Sequence, residues 1–162
     1  MKLEEALKQT KPFKNEIHKL ILNIHYTSSC LNAVLADLLK PYDLSPHQFN
    51  VLRILKGNHP KTYCNQEISS RMIDKNSNAT RIVDKLITKN LVSRITCDVD
   101  RRQVQIGITE KGLALLDELD KAINLDTLIL GTITEEEAHM VNPILDRLRT
   151  WFFLTLYLYI QF

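Results

Sequence analysis

Glycine, proline and cysteine are all scarce in this 162-residue chain, which has four, five and three of them. So few glycines and prolines predict long helices and few tight turns. The cysteines, Cys30, Cys64 and Cys97, are odd in number, far apart and never in a C-x-x-C pair, so we expect no disulfide framework. A reduced, cytoplasmic chain is the expectation that follows.

Longer sequence signals are missing as well. No apolar run reaches the roughly 18 to 20 residues of a membrane span, and the polar N-terminus has no signal-peptide core, so we expect no membrane partner. There is no G-x-S-x-G, no glycine-rich phosphate loop and no H-E-x-x-H motif, so we expect neither an enzyme nor a cofactor. His18 and His25 share a helical face, but no matching cluster of acids or cysteines predicts a metal site.

The net charge of +2 conceals an uneven distribution. Residues 1–70 carry +3, residues 71–102 carry +4 and residues 103–162 carry −5. A basic middle segment indicates a nucleic-acid partner, although a local excess of charge is also typical of an ordinary solvated face.

The apolar residues between Phe13 and Leu39 recur with helical spacing. They are Ile17, Ile21, Ile24, Leu31, Leu35 and Leu38. A helix of this length would run about 40 Å, which is long for one small domain to cover. Two interpretations stay open: a core helix, or a helix whose apolar seam is partly buried by a second subunit.

Pro41 ends this helix, and a second one starts with clear signals. Ser45 is the expected N-cap, Pro46 lies at the first helical position and Gln48 completes a capping box. The expected buried face is Phe49, Leu52 and Leu55, with Val51 and Ile54 beside it. A short third helix is predicted from Asn65, with Ile68 and Met72 turned inward.

A fourth helix is predicted over roughly Asn76 to Lys89, with a polar and cationic face opposite its apolar stripe. Such a face suits the DNA major groove, but alone it equally fits an exposed polar surface. Two strands follow, over Leu91–Cys97 and Gln103–Ile108, and the loop between them carries Arg101 and Arg102. Helix, helix and hairpin is the order of a winged helix-turn-helix.

The remaining sequence predicts two further helices and an unusual tail. Thr109 is expected to cap the first of these helices, which Gly131 would end. Thr134 and Glu137 form a second capping box, and Pro143 is expected to kink the last helix. Residues 151–162, WFFLTLYLYIQF, either continue that helix into a dimer core, form a strand or swapped arm, or are an artefact of cloning or reading frame.

Taken together, Leu44 to Asp120 resembles the MarR family of transcriptional regulators. The matching segments are LSPHQFNVLRIL, NQEISSRM, SNATRIVDKLITKNLVSR and DVDRRQVQIGITEKGLALL. The resemblance implies a mainly α fold with a small β-hairpin wing, in which long dimerisation helices accompany a winged helix-turn-helix lobe. We expect an N-terminal dimerisation region over 1–40, a DNA-binding lobe over 41–108, and C-terminal dimerisation helices with the apolar tail over 109–162.

Carried over residue by residue, the resemblance implies base or near-base contacts for Ser77, Asn78, Thr80 and Arg81. Lys75 and Lys85 would hold phosphates. Asp84 is expected to pair within the protein rather than touch DNA.

In the wing, Arg101 and Arg102 match the family's arginines, and Asp100 would orient one of them through a salt bridge. The resemblance further implies a homodimer that binds a palindromic operator in double-stranded DNA, with half-sites about one helical turn apart.

The function expected from these features is sequence-specific DNA binding that represses nearby genes and is relieved by a small-molecule effector, whose identity no residue settles. Two alternatives stay open. The winged helix could serve protein or ligand binding without specific DNA binding. Otherwise the chain could be a redox-sensing regulator that uses Cys30, although a lone helical cysteine is more often a small core residue.

Overall fold

The computed structural model describes residues 1–96, 104–123 and 131–159, and these fall into two compact units divided after Leu119. The elements in chain order are α1 (Leu3–Ala6), α2 (Glu16–Leu39), α3 (Pro46–Lys56), β1 (Tyr63–Cys64), α4 (Asn65–Arg71), α5 (Ala79–Thr88), β2 (Val92–Thr96), β3 (Val104–Ile108), α6 (Glu110–Ala122) and α7 (Glu135–Tyr159). The mainly helical fold with a small sheet is the predicted class. Across the described ranges, no helix has both the length and the apolar character needed to cross a membrane.

The first long helix, α2, begins three residues later than the apolar pattern indicated. Asn15 caps it by accepting a hydrogen bond from the His18 backbone N–H at 2.8 Å, so the chain before Glu16 is not helical. Leu39 is buried where the helix ends, and a short 3-10 turn over Lys40–Tyr42 follows at Pro41, as predicted. Most of the apolar seam is exposed, including Ile17 at 71% and Leu31 at 54%.

Local capping determines where α3 begins. The Ser45 hydroxyl accepts from the Gln48 backbone N–H at 3.3 Å, while the Gln48 side chain accepts from the Ser45 backbone N–H at 3.0 Å. The predicted capping box is therefore confirmed. The predicted buried face needs one correction: Val51 and Gln48 are buried, whereas Phe49 is half-buried with its ring 5.0 Å from the Arg53 guanidinium. A cation over its face lets this ring stay near the surface.

The sheet has three antiparallel strands in the order β1-β3-β2. The hairpin of β2 and β3 was predicted, and its register runs from Val92 opposite Ile108 to Thr96 opposite Val104. The strand β1, which pairs Tyr63 with Ile106, is not indicated by the sequence pattern. A two-residue strand has no alternation to detect, so only its partner reveals it.

Helices α3, α4 and α5 share a core with the sheet. Its members with under 2% exposure include Val51, Leu52, Leu55, Ile68, Met72, Val83, Leu86, Val92 and Ile106. Ile68 and Met72 are turned inward as predicted. Since these residues come from all three helices and from β2 and β3, the exposed face of α5 lies on a packed support.

Helix α5 is shorter than predicted at its N-terminus. It starts at Ala79 rather than near Asn76, because the Asn78 side chain accepts from the Arg81 backbone N–H at 3.0 Å and so acts as N-cap. Its end is marked by Asn90, which has a left-handed φ of 59°. Asparagine accepts this conformation more readily than most residues, and the chain then turns directly into β2.

The start of α6 lies beside the turn that follows α5, where the Thr109 hydroxyl donates to the Asn90 carbonyl at 2.9 Å. The Thr109 hydroxyl accepts from the Gly112 backbone N–H at 3.1 Å, which confirms the predicted cap. Gly112 lets the backbone of α6 lie close to the backbone at Leu91. A Cβ at position 112 would lie only 2.3 Å from the Leu91 carbonyl oxygen. The prediction that this helix extends to Gly131 is wrong, because the helix ends at Ala122 and Ile123 is not helical.

The last helix, α7, begins at the predicted capping box. The Thr134 backbone N–H donates to the Glu137 carboxylate at 2.8 Å, and the Thr134 hydroxyl accepts from the Glu137 backbone N–H at 3.1 Å. The helix continues across Pro143 to Tyr159. Of the three interpretations of the tail, the strand is therefore wrong as far as Tyr159, because the backbone there is helical.

Candidate nucleic-acid interface

The outward face of α5 is polar and cationic. Ala79, Val83 and Leu86 anchor the helix in the core, and the exposed residues between them include Thr80, Arg81, Asp84, Lys85 and Thr88. The side chains of Thr80, Arg81 and Lys85 make no hydrogen bond or ion pair with the described part of the chain. A rigid helix that presents available donors is the geometry needed to contact base edges and phosphates.

The candidate residues just before α5 are already engaged locally. The Ser77 hydroxyl donates to Asp74 Oδ2 at 2.7 Å, and Asn78 Oδ1 caps the helix. Lys75 Nζ donates to the Ser70 carbonyl at 2.6 Å on an exposed surface. These residues therefore lie on the loop that leads into the helix, beside the face formed by Thr80, Arg81 and Lys85, and not on the helix itself.

Asp84 forms an ion pair with Arg94 of β2. This confirms that Asp84 pairs within the protein. Arg94 was not among the predicted site residues, because only the fold brings positions 84 and 94 together. The pair links β2, the first strand of the wing, to α5, the helix expected to enter the major groove and called the recognition helix below.

The C-terminal end of α5 is held by two lysines. Lys89 Nζ lies 2.9 Å from Asp43 Oδ2, on the turn between α2 and α3, and also donates to the Asp43 carbonyl. Lys111 Nζ donates to the Lys89 carbonyl at 3.0 Å. Cations at the carbonyl end of a helix also complement its dipole.

A cleft of about 690 Å³ opens next to this end of the recognition helix. It is lined by the end of α2, the turn before α3, the start of α3, and the last turn of α5. The charged lining residues are Asp37, Lys40, Asp43, Lys85 and Lys89, and the apolar ones include Ala36, Leu44 and Pro46. Lys85 and Lys89 therefore belong both to α5 and to the wall of the cleft.

The predicted residues of the wing tip and the three cysteines differ in where they lie. Arg101, Arg102 and Asp100 lie outside the described residues, and so does Cys97. Cys30 is an exposed free thiol on α2. Over the described ranges, no three histidine, cysteine or acidic side chains are grouped as a metal site would require.

Comparison with known proteins agrees with the winged-helix geometry of the lobe. The model of the MarR family matches residues 44–104. The HTH-type transcriptional regulator MhqR of Bacillus subtilis (strain 168) is 32% identical over 133 residues, which cover 80% of this chain and 88% of MhqR.

Solved structures agree in fold. A cysteine-to-serine mutant of MarR from E. coli, complexed with operator DNA, superimposes with a TM-score of 0.73 at 23% identity, covering 85% of this chain and 99% of that one. The organohalide-sensing regulator RdhR in its 2,4-dichlorophenol-bound form gives a TM-score of 0.76 at 19% identity, with 88% and 86% covered. The chain therefore belongs to the MarR family of winged-helix, DNA-binding transcriptional regulators.

Proposed function

We propose that this chain is a homodimeric, ligand-responsive repressor that binds a palindromic operator through α5 and the wing. It acts by binding in the cytoplasm, without catalysing a reaction. The observation that carries the proposal is the exposed face of α5, where Thr80, Arg81 and Lys85 project from a helix whose other side is packed in the core. Helices that enter the major groove need this combination of rigid support and available donors.

The dimer is supported by the apolar seam of α2. Ile17, Ile24 and Leu31 are seven residues apart and are all exposed, at 71%, 37% and 54%. Contiguous apolar surface of this kind is costly in water, and a second copy would cover it. A two-fold axis would then present two recognition helices to two half-sites.

The cleft beside α5 supports the proposal that a small-molecule effector binds this chain. Lys40, Lys85 and Lys89 supply positive charge, while Ala36, Leu44 and Pro46 supply apolar contact. This lining suits a small aromatic molecule with an acidic group, because the ring and the anion would each find a partner. The structural neighbour RdhR was solved with 2,4-dichlorophenol bound. A ligand in the cleft would contact Lys85 and Lys89 and so alter the recognition helix directly.

The DNA-binding proposal is tested by fluorescence anisotropy with the duplex upstream of the chain's own gene and a scrambled duplex of equal composition. We expect Arg81→Ala to weaken specific binding by about 1–3 kcal/mol, the usual value of a good base contact. Lys85→Ala should reduce the slope of log K against log salt by about one. Arg149→Ala, which removes an exposed arginine from α7, is the matched control and should change neither.

Equal affinity of the wild-type chain for both duplexes at about 150 mM salt would reject the proposal and favour a winged helix used for protein or ligand binding. The effector part is tested separately, by titrating the chain with 2,4-dichlorophenol and with benzoate. Binding that raises the Tm and releases the duplex supports it, whereas an unchanged Tm and unchanged DNA affinity with both compounds reject it for this chemical class.

A further inference from the structure

Asp74 is the centre of a hydrogen-bond cluster in the loop between α4 and α5. Its Oδ2 atom accepts from the Ser77 hydroxyl at 2.7 Å and from His47 Nε2 at 3.0 Å, and its Oδ1 atom accepts from the Asn76 backbone N–H at 3.0 Å. His47 belongs to the first turn of α3, so the cluster joins two separate helices of the lobe. A second contact runs in parallel, because Asn50 of α3 accepts from the Ile73 backbone N–H at 3.0 Å.

The protonation state of the cluster follows from these contacts. The Ser77 hydroxyl, then His47 and then the Asn76 N–H hold the pKa of Asp74 below its usual value. Asp74 is therefore ionised at neutral pH and can only accept hydrogen bonds. It follows that the hydroxyl proton of Ser77 and a ring proton on His47 Nε2 both point at this carboxylate.

This arrangement restricts what Ser77 can offer to DNA. A serine hydroxyl has one proton, and Ser77 has given it to Asp74, so lone pairs are what remains on Oγ. Phosphate oxygens are acceptors and cannot pair with such an oxygen. In the major groove the donors are the N6 amino group of adenine and the N4 amino group of cytosine.

We propose that Asp74 and His47 are positioning residues of the DNA-binding surface, which hold Ser77 as a hydrogen-bond acceptor so that it selects an amino group of adenine or cytosine. The inference rests on the proposed function, because it requires the N-terminal end of α5 to enter the major groove. Asp74 touches no base in this arrangement and acts through Ser77. Every base pair carries one of these amino groups in the major groove, so the polarity of this hydrogen bond selects the strand on which adenine or cytosine lies.

The experiment is selection from a pool of duplexes with about 20 randomised base pairs, followed by sequencing of the enriched DNA. The proteins compared are wild type, Ser77→Ala, Asp74→Asn, His47→Gln and Asp117→Asn. Asp117 is an exposed acid of the same compact unit, paired with Lys56 at 2.7 Å, so its variant matches the loss of one negative charge near the lobe. Circular dichroism of each protein checks that α5 and the lobe are folded.

We expect wild type and Asp117→Asn to enrich one motif in which, at one position of each half-site, adenine and cytosine are both accepted on one strand and guanine and thymine are rejected on it. Ser77→Ala should lose that preference by about fivefold, the value of one neutral hydrogen bond. Asp74→Asn presents an amide that can donate to Ser77, so the hydroxyl proton is released and the preference should be lost or move toward guanine or thymine. His47→Gln keeps a donor to Asp74 and should retain the wild-type motif.

Two results overturn the inference. If wild type enriches a motif that Ser77→Ala and Asp74→Asn both enrich unchanged, the positioning role is wrong while the proposed function stands. If wild type enriches no motif, the proposed function fails and this inference fails with it. Ser77→Ala keeps Asp74 and His47 in place, so the test does not depend on a variant that disturbs the cluster itself.

Discussion

Arg94 on β2 pairs with Asp84 on the exposed face of α5, so the wing and the recognition helix are joined by one ion pair. Both side chains are about half exposed, at 46% and 51%, which limits what the pair adds to the free energy of folding. We expect its effect to lie instead in the orientation of the two elements, because under the proposed function they meet adjacent parts of a DNA duplex.

Breaking this pair should change DNA binding more than stability. We expect Arg94→Ala and Asp84→Asn to alter the free energy of unfolding by less than about 1 kcal/mol each, since exposed pairs are screened by solvent. Arg94→Ala should weaken operator binding measurably by anisotropy. The Arg149–Asp146 pair of α7 is the control, and Arg149→Ala should leave operator binding unchanged. Equal effects of Arg94→Ala and Arg149→Ala on binding would contradict the orienting role.

Gly112 should be intolerant of a side chain. A Cβ there would lie 2.3 Å from the Leu91 carbonyl oxygen and 2.8 Å from Ile108 Cγ1, so Gly112→Ala forces the backbone to move. We expect a loss of about 1–3 kcal/mol in urea unfolding, as for other overpacked positions. Gly57→Ala is the matched control, because its nearest neighbours would be 3.5 Å away. Similar unfolding midpoints for the two variants would show that the contact at Gly112 relaxes freely.

The apolar seam of α2 should control the oligomeric state. Leu31→Glu places a charge in the exposed seam, and we expect it to shift the chain from dimer to monomer in analytical ultracentrifugation, because a carboxylate buried in an apolar interface is costly. Ser29→Glu adds the same charge to an exposed position about 160° away around the helix. That variant should stay dimeric. A monomeric wild type, or a dimer that tolerates Leu31→Glu, would refute this use of the seam.

Low pH should break the hydrogen bonds that the Asp74 carboxylate accepts, because it protonates this group. A carboxyl whose pKa is lowered on folding stabilises the folded state fully above its unfolded pKa, and this contribution is lost as the pH falls through the lower folded pKa. For Asp74 that window lies below about pH 4. A carbon-13 NMR titration of the Asp74 carboxyl should give a midpoint below the ordinary value, and Ser77→Ala should raise it more than His47→Gln does. A midpoint at or above the ordinary value would disprove the assigned hydrogen bonds.

The sequence predicts well those features that depend on neighbours along the chain. The capping boxes at Ser45 and Thr134 each involve residues three apart, so local chemistry determines them. The helical order and the hairpin follow from periodicity in the same way. The family resemblance then supplies the roles of these elements.

The features that escaped prediction depend on tertiary contact. His47 and Asp74 are 27 residues apart, and no spacing rule pairs them. Serine and asparagine are both favourable N-cap residues, so the sequence does not say whether Ser77 or Asn78 caps α5. In the structure the Ser77 hydroxyl bonds to Asp74, and Asn78 caps the helix. Phe49 was expected inside because it is large and apolar, but the neighbouring Arg53 covers its ring at the surface.

The two ends of α5 are fastened by contacts that do not use the exposed side chains of Thr80 and Arg81. Asn78 fixes the first turn, and the contacts of Lys89 with Asp43 and Lys111 fix the last one. The side chains of Thr80 and Arg81 take part in none of these contacts, since Arg81 contributes only its backbone N–H to the Asn78 cap. They can therefore be exchanged without loosening the helix, and the lobe is suited to being reprogrammed toward a new target sequence while its framework stays the same.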